Sequence, residues 1–291
     1  MKAAGLVLLV FVFACGSGEP VVIGSKNFTE QDVLGEILAQ EIEDRGIPVE
    51  RRFHLGGTFV CHNALVGGEI DLYPEYTGTA LTAILKHAPV QDPERALREV
   101  AEAYALRWDL VWGPPLGFEN TFALVVRRAD AESLDLRTIT DLGAVAAGMT
   151  AGFGPEFMAR EDGYPGLKVA YGFEFGRIRQ LDLGLMYRAL AEREIDVAVA
   201  NSTDGRIDAL DLVVLADDRR YFPPYQAAPV VREEALDRHR RLGEALAALA
   251  GSLDEAGMRA LNREVESGAD LADVVRAWRE RRVRDREPEP R

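Results

Sequence analysis

Apolar and polar positions in the first quarter of the chain follow two alternating periods. Short runs of β-branched residues predict buried strands, and longer segments with an apolar residue every three or four positions predict helices. In chain order these elements are a strand at 21–25, a helix at 29–45, a strand at 49–55, a helix at 58–65 and a strand at 70–76. Thr29 and Asp32 have the spacing of a capping box at the first helix. The order β-α-β-α-β predicts a parallel sheet covered by helices.

The alternation starts again near Met149. The pattern predicts strands in "MTAGF", "LKVAYGF" and "IDVAVAN", with helices near 155–160 and 186–191 between them. From Glu233 onward, Ala, Leu, Glu and Arg recur at helical spacing, which predicts two or three surface helices. The chain therefore contains two α/β units followed by a helical tail.

One local pattern occurs in both units. An Ala-Leu pair at 64–65 precedes Glu-Ile-Asp at 69–71, and the same residues recur with the same spacing at 189–190 and 194–196. Five residues after the Asp stands Tyr76 in the first copy and Asn201 in the second. Ligands of open α/β sheets bind at the carboxyl ends of strands, so two similar lobes would place these residues on facing walls of a cleft. Coincidence is the alternative, because both dipeptides are common.

Composition and motifs favour a binding protein over an enzyme. The 291 residues are enough for one large domain or two lobes, and the formal charge of −14 disfavours a nucleic-acid partner. The four histidines lie in no Gly-x-Ser-x-Gly or His-Glu-x-x-His pattern, and no phosphate-binding glycine loop is present. Two cysteines cannot form a thiolate zinc site. No catalytic residue, metal site or cofactor is therefore predicted.

The N-terminus has the features of an export signal. The apolar run at 3–14 suits a signal-peptide core and is shorter than the roughly 20 residues that span a bilayer. It ends in "VFAC", which resembles a bacterial lipobox and predicts a signal peptide at 1–14, lipid on Cys15 and a linker at 15–20. Plain cleavage after Ala14 and a buried N-terminal helix are the alternatives. Lipidation would leave Cys61 unpaired, as a small buried apolar residue.

Six segments in order resemble the substrate-binding proteins of osmoprotectant ABC importers. They are "IGSKNFTEQDVLGEILAQEIE", "LGGTFVCHNALVGGEIDLYPEYTGT", "GFENTFALVV", "FMAREDGYPGL", "STDGRI" and "YFPPYQAAPVV". The resemblance runs from about Val21 to Val231 and implies a two-lobed α/β fold, the type II periplasmic-binding-protein fold, with a ligand cleft between the lobes. It implies two hinge crossings, near 119–123 and 221–226. Lobe 1 would comprise 21–121 and 226–291, and lobe 2 would comprise 122–225.

The resemblance also implies the ligand site. A methylated ammonium has no N–H to donate, so aromatic faces hold it, and Tyr76, Phe122 and Tyr225 match such positions. A carboxylate needs cations and donors, and Lys26, Thr79 and Arg160 match that end. Asn201 stands where many members have a further tyrosine. The alternatives are a solvated Lys26, a helix-surface Arg160, hinge packing by Tyr225 and a helix cap at Thr79.

The implied function is capture of a quaternary-ammonium zwitterion for an ABC permease in the inner membrane. The protein would be a monomer without nucleic-acid partners, located in the periplasm or lipid-anchored on the outer face of the cytoplasmic membrane. Two alternatives stay open. The ligand is a different zwitterion, such as an amino-acid derivative whose N–H groups bind the Asn201 amide, or the chain is an envelope sensor that kept the fold.

Overall fold

The computed structural model describes residues 18–286, so the predicted signal peptide and Cys15 lie outside the described part. In that part, ten strands form two five-stranded sheets. The strands are β1 (Val21–Lys26), β2 (Val49–Gly56), β3 (Leu72–Tyr76), β4 (Leu110–Trp112), β5 (Phe122–Arg127), β6 (Thr150–Phe153), β7 (Arg177–Gln180), β8 (Val197–Asn201), β9 (Leu212–Val214) and β10 (Ala227–Arg232).

Helices cover both sheets and form the C-terminal region. They are α1 (Thr29–Glu43), α2 (Thr58–Val66), α3 (Thr77–Thr79), α4 (Pro93–Trp108), α5 (Arg128–Ser133), α6 (Ile139–Gly143), α7 (Pro155–Ala159), α8 (Tyr164–Tyr171), α9 (Leu183–Ala191), α10 (Arg206–Ala209), α11 (Glu233–Arg238), α12 (Leu242–Ala248), α13 (Glu255–Glu266) and α14 (Leu271–Arg286). A π-helical segment, Ala80–Ile84, continues α3, and a 3₁₀ turn, Ala146–Gly148, precedes β6.

The two sheets share one topology. Their strand orders are β2-β1-β3-β10-β4 and β7-β6-β8-β5-β9. In each sheet the first three strands are parallel, and a strand arriving from the other lobe inserts antiparallel as the fourth. The predicted two-lobed α/β fold is confirmed, but the sheets are mixed rather than parallel because the chain crosses between lobes twice, after β4 and after β9. The residue boundaries of the lobes stay a prediction.

The repeated Glu-Ile-Asp pattern has the same geometry in both lobes. Asp71 donates its N–H to the carbonyl of Val22 (2.7 Å) and accepts from the Val22 N–H through its side chain (2.8 Å). Asp196 makes the same pair of bonds with Thr150, at 2.7 and 2.9 Å. Each aspartate thus pins the start of its strand to the neighbouring strand, and β3 and β8 end at equivalent places.

The second unit departs from the sequence pattern at "LKVAYGF". This segment was predicted as a strand, but it forms most of α8, and the strand of this part of the sheet is β7 instead. Pro165 lies in the first turn of α8, where proline is tolerated, and Gly172 closes the helix with φ of 73°. The apolar side chains of "LKVAY" fit a short amphipathic helix as well as a strand.

The predicted capping box at the first helix is wrong. Phe28 is the N-cap of α1 and makes no side-chain capping bond. The carboxylate of Asp32 instead accepts a hydrogen bond from Ser25 Oγ (2.5 Å) at the end of β1. Because the Asp32 side chain is engaged in this tertiary contact, it does not cap α1. Cys61 is fully buried, as expected.

The C-terminal region forms four helices rather than the two or three surface helices predicted. Three of them, α12, α13 and α14, pack against α1. Met258, Leu261 and Val275 in this region are fully buried. Because α1 lies between the first sheet and these helices, twelve of its residues are buried, several of them charged or polar.

Candidate functional site

A small cavity of about 70 Å³ lies between the two lobes. All seven predicted site residues line it: Lys26, Tyr76, Thr79, Phe122, Arg160, Asn201 and Tyr225. Four residues that the sequence did not indicate complete the wall: Phe28, Thr58, Asn120 and Glu156. The fold therefore brings together residues up to 199 positions apart (from 26 to 225).

Strand ends place most of these side chains. Lys26 and Tyr76 end β1 and β3, and Asn201 ends β8 directly opposite Phe122, the first residue of β5. The turn after Tyr76 packs closely on the returning chain. A Cβ at Gly78 would come within 2.7 Å of both the Pro224 carbonyl and the Tyr225 ring, so only glycine permits this approach.

Tyr76 is fixed from behind by a buried carboxylate. Its hydroxyl donates to Glu30 Oε1 (2.6 Å), and Asn120 donates to the same oxygen (2.7 Å). The hydroxyl of Thr203, from the other lobe, and the amide of Asn262 donate to Oε2. Burial raises the pKa of Glu30, against the opposing effect of these four hydrogen bonds. The network holds the tyrosine ring at one position on the cavity wall.

Lys26 is buried and paired within its own lobe. Its Nζ lies 2.5 Å from Glu75 Oε1, and 5.1 Å from the centre of the Tyr76 ring. Glu75 also accepts from the Tyr73 hydroxyl (2.8 Å) and the Tyr76 N–H (2.7 Å). Since the lysine is only 3% exposed, it is not a solvated loop cation. An ammonium carries three donors, so two remain for a ligand beyond Glu75.

Arg160 is likewise buried and paired. It makes a bidentate contact with Asp162 at 2.8 and 2.5 Å, and its Nη2 lies 3.3 Å from the Thr79 hydroxyl of the other lobe. Burial alone would lower the pKa of Arg160, but the hydrogen bonds and charge of Asp162 raise it. The guanidinium lies 5.0 Å from the centre of the Phe122 ring. At 3% exposure, Arg160 is not a helix-surface charge.

Four aromatic residues line the cavity beside two amides; they are Phe28, Tyr76, Phe122 and Tyr225, with Asn120 and Asn201. Phe122 packs against Phe157 and Tyr225, with ring centres 5.0 and 6.0 Å away. The Tyr225 hydroxyl donates to Asp162 (2.7 Å), which fixes that ring as well. The half-buried Asn201 makes no side-chain hydrogen bond within the described part of the chain.

Glu156 closes the cavity from the second lobe. Its carboxylate accepts from the Thr58 N–H (2.6 Å) and lies 3.3 Å from the Thr58 hydroxyl, across the cleft. It also lies 3.8 Å from Arg160 Nη1. A Cβ at Gly57 would stand 2.1 Å from this carboxylate, so the turn before α2 is shaped around it. This contact therefore joins the two lobes across the cleft.

The acidic residues of the site were not predicted from the sequence. Glu75 precedes Tyr76 directly, and Asp162 is two residues after Arg160, so both stand beside predicted site residues. Glu30 and Glu156 lie in the first turns of α1 and α7, where an acid ordinarily faces solvent and complements the helix dipole. Proximity in sequence to a predicted site residue was the one available signal, and it applies to Glu75 beside Tyr76 and to Asp162 and Glu156 near Arg160.

Within residues 18–286, no helix has the length and apolar character needed to cross a bilayer. The same residues contain no group of three or more His, Cys, Asp or Glu placed to hold a metal ion.

Known proteins resemble this chain over most of its length. The family described as "Substrate binding domain of ABC-type glycine betaine transport system" matches residues 19–281. The "Carnitine transport binding protein OpuCC" of Listeria monocytogenes is 37% identical over 89% of this chain and 85% of its own. A "Glycine-betaine-binding protein" of Pseudomonas aeruginosa is 38% identical over 88% of this chain and 86% of its own.

Solved structures agree. One described as a "glycine betaine/carnitine/choline ABC transporter" is 34% identical, has a TM-score of 0.74, and aligns over 90% of this chain and 98% of that chain. The structure of apo YehZ from Escherichia coli is 30% identical with a TM-score of 0.66 over 90% of this chain and 98% of that one. The chain therefore belongs to the family of substrate-binding domains of ABC-type glycine betaine transport systems, so it is the ligand-binding component that serves a membrane permease and not an enzyme.

Proposed function

We propose that this chain captures a small zwitterion with a quaternary ammonium group, of the glycine betaine kind, in the interlobe cavity. One observation carries the proposal: four aromatic residues and two buried cations line a single cavity between the lobes. The rings of Tyr76, Phe122 and Tyr225 suit a methylated ammonium, which offers no N–H and is attracted to ring faces. The opposite end of the cavity, formed by Lys26, Arg160 and Thr79, suits a carboxylate.

The carboxylate end combines Lys26, Arg160 and Thr79 in this proposal. Arg160 donates toward the Thr79 oxygen, which leaves the Thr79 hydroxyl proton free for a ligand oxygen. Both cations are already neutralised, by Glu75 and Asp162. With the Glu156 carboxylate also in the wall, the cavity carries no excess positive charge, which suits a zwitterion better than a simple anion.

Binding in this account proceeds by hinge closure. The cavity has walls from both lobes, which Glu156 and Thr58 join across the cleft, so a betaine enters when the lobes part. The ligand shifts the equilibrium toward closure by its greater affinity for the closed state. The proposed lobes are 21–121 with 226–291, and 122–225, with hinges near 119–123 and 221–226.

The relatives support this ligand class over the alternatives. Two of them are named for carnitine and glycine betaine, which both join a trimethylammonium to a carboxylate. An amino-acid derivative held by the Asn201 amide is the second candidate, because that amide makes no hydrogen bond to any of residues 18–286. A transport family gives less support to an envelope sensor.

We also propose that the mature chain is a monomer, anchored by lipid on Cys15 at the outer face of the cytoplasmic membrane. The apolar run ending in "VFAC" supports the anchor. Labelling of expressing cells with a palmitate analogue should mark the wild-type chain and not Cys15→Ser. Equal fractionation of both, without label, would leave plain secretion.

A thermal-shift screen tests the ligand class. The panel contains glycine betaine, choline, carnitine, ectoine and the common amino acids. A ligand at 100 times its Kd adds about 2.7 kcal/mol to the free energy of unfolding. We expect glycine betaine or carnitine to raise Tm. A rise with unmethylated amino acids alone would favour the second candidate.

A further inference from the structure

A second, larger chamber adjoins the small cavity. It measures about 660 Å³ and also lies between the lobes. The two spaces share four wall residues: Phe28, Phe122, Glu156 and Asn201. Ligand pockets in proteins generally measure about 300–1,000 Å³, so the small cavity falls far below this range while the chamber lies within it. The chamber is therefore large enough to hold a substantial chemical group of its own.

The chamber is lined mainly by apolar side chains from both lobes. The first lobe supplies Phe59 and Val60, and the second supplies Phe157, Leu183 and Met186. Phe59 and Val60 are 43% and 51% exposed, which is unusual for large apolar residues that line a cleft and face the opposite lobe. A bound apolar group would cover this surface.

Asn201 stands at the junction of the two spaces. It lines both, is half-buried and makes no side-chain hydrogen bond within the described part of the chain. A side chain the size of tyrosine at this position would occupy part of the junction. Asparagine leaves a passage whose remaining borders are Phe28, Phe122 and Glu156.

We infer that the preferred ligand is a betaine whose α-carbon carries a bulky apolar substituent, and that this substituent occupies the chamber. The inference rests on the proposed function, which fixes the ammonium and the carboxylate in the small cavity. With both ends held there, the carbon between them is the point from which a substituent passes Asn201. The binding site is thus one composite pocket, with a small polar compartment and a large apolar one.

Calorimetry with a homologous ligand series tests the inference. The probes are glycine betaine and the N,N,N-trimethyl derivatives of L-alanine, L-leucine and L-phenylalanine. We expect Kd to fall along this series, with the phenylalanine derivative binding at least tenfold more tightly than glycine betaine. If glycine betaine binds and the larger probes bind no better, the chamber inference is wrong and the proposed function stands. If no probe binds, the proposed function itself fails.

Two variants fill the chamber from opposite lobes. Leu183→Trp and Val60→Trp each place an indole at its wall, and Val60 is exposed enough for the larger side chain to be tolerated. Each should weaken the phenylalanine derivative at least tenfold relative to glycine betaine. Leu106→Trp is the control, because Leu106 is 87% exposed on α4, outside both spaces. Leu106→Trp should leave the Kd of every ligand in the series unchanged.

The variant Asn201→Tyr should change the affinities for the smallest and the largest ligand of the series in opposite directions. It should tighten glycine betaine about five- to thirty-fold, through one added ring contact, and weaken the phenylalanine derivative by narrowing the junction. Two results would contradict the composite pocket. One is an equal change in Kd for both ligands in Asn201→Tyr, and the other is an unchanged ratio of the two Kd values in both chamber-filling variants.

Discussion

The two buried cations of the cavity each have a carboxylate partner in their own lobe. Lys26 pairs with Glu75 and Arg160 with Asp162. A cation left unpaired in such a place would carry a large desolvation cost, and these partners offset it before a ligand arrives. The ligand carboxylate then competes with existing carboxylates, so small donors such as the Thr79 hydroxyl gain importance for affinity.

The variant Thr79→Val tests this role. The substitution keeps the shape of the side chain and removes the proton that we assign to the ligand carboxylate. Hydrogen bonds to charged groups contribute about 1.5–3 kcal/mol, so calorimetry should show glycine betaine weakened by roughly 10- to 150-fold. Choline, which has no carboxylate, should change little.

Thr140→Val serves as the matched control, since Thr140 bonds Asp218 at the exposed surface and does not line the cavity. Equal losses for betaine and choline in Thr79→Val would mean that Thr79 acts on the fold and not on the ligand carboxylate.

Strand ends were the part of the site that the sequence predicted well. The Glu-Ile-Asp pattern in both lobes located the ends of β3 and β8, and Tyr76 and Asn201 do face one cavity. Prediction failed where tertiary context decides. "LKVAYGF" has apolar residues compatible with two periods, and the acids Glu30 and Glu156 take buried or cross-cleft partners that no local pattern encodes. The chamber depends on how the lobes meet, which lies outside any single segment.

The first turn of α7 joins the lobes through Glu156 and the Thr58 N–H. The variant Glu156→Ala removes this contact. Its charge-assisted hydrogen bond should contribute about 1.5–3 kcal/mol to the free energy of closure. Without ligand, the population should shift toward the open form, and small-angle X-ray scattering should give a larger radius of gyration than for wild type. Saturating glycine betaine should restore the smaller value.

Glu174→Ala is the control for that comparison, because Glu174 pairs with Lys168 at the surface. An unchanged radius of gyration in Glu156→Ala would show that this contact does not hold the lobes together.

At the scale of the whole molecule, buried acids between the lobes make stability depend on pH. Burial, and next the charge of Asp204, raise the pKa of Glu266 from 4.5 to about 7. Arg206, from the second lobe, lies 3.5 Å from its Oε1 and opposes that shift. The folded protein therefore binds a proton that the unfolded chain releases between about pH 4.5 and 7, and stability falls as pH rises through this interval.

The variant Glu266→Gln should remove this dependence. Allowing for partial solvent screening, we expect it to exceed wild type by about 1–2 kcal/mol in the free energy of unfolding at pH 8, and by much less at pH 5. Urea denaturation at the two pH values measures the difference. Glu264→Gln, exposed on the same helix, should give no such change. A gain at pH 5 as large as at pH 8 would rule out the titration of Glu266 as its cause.

The central claim is that the cavity recognises a methylated ammonium through its rings while holding a carboxylate. Calorimetric titration with glycine, N-methylglycine, N,N-dimethylglycine and glycine betaine tests it most directly, because only the ammonium end changes. Ring contacts contribute about 0.5–2 kcal/mol each, so Kd should fall with each methyl group and by well over tenfold across the series. Glycine binding as tightly as glycine betaine, or glycine betaine failing to bind, would contradict the account.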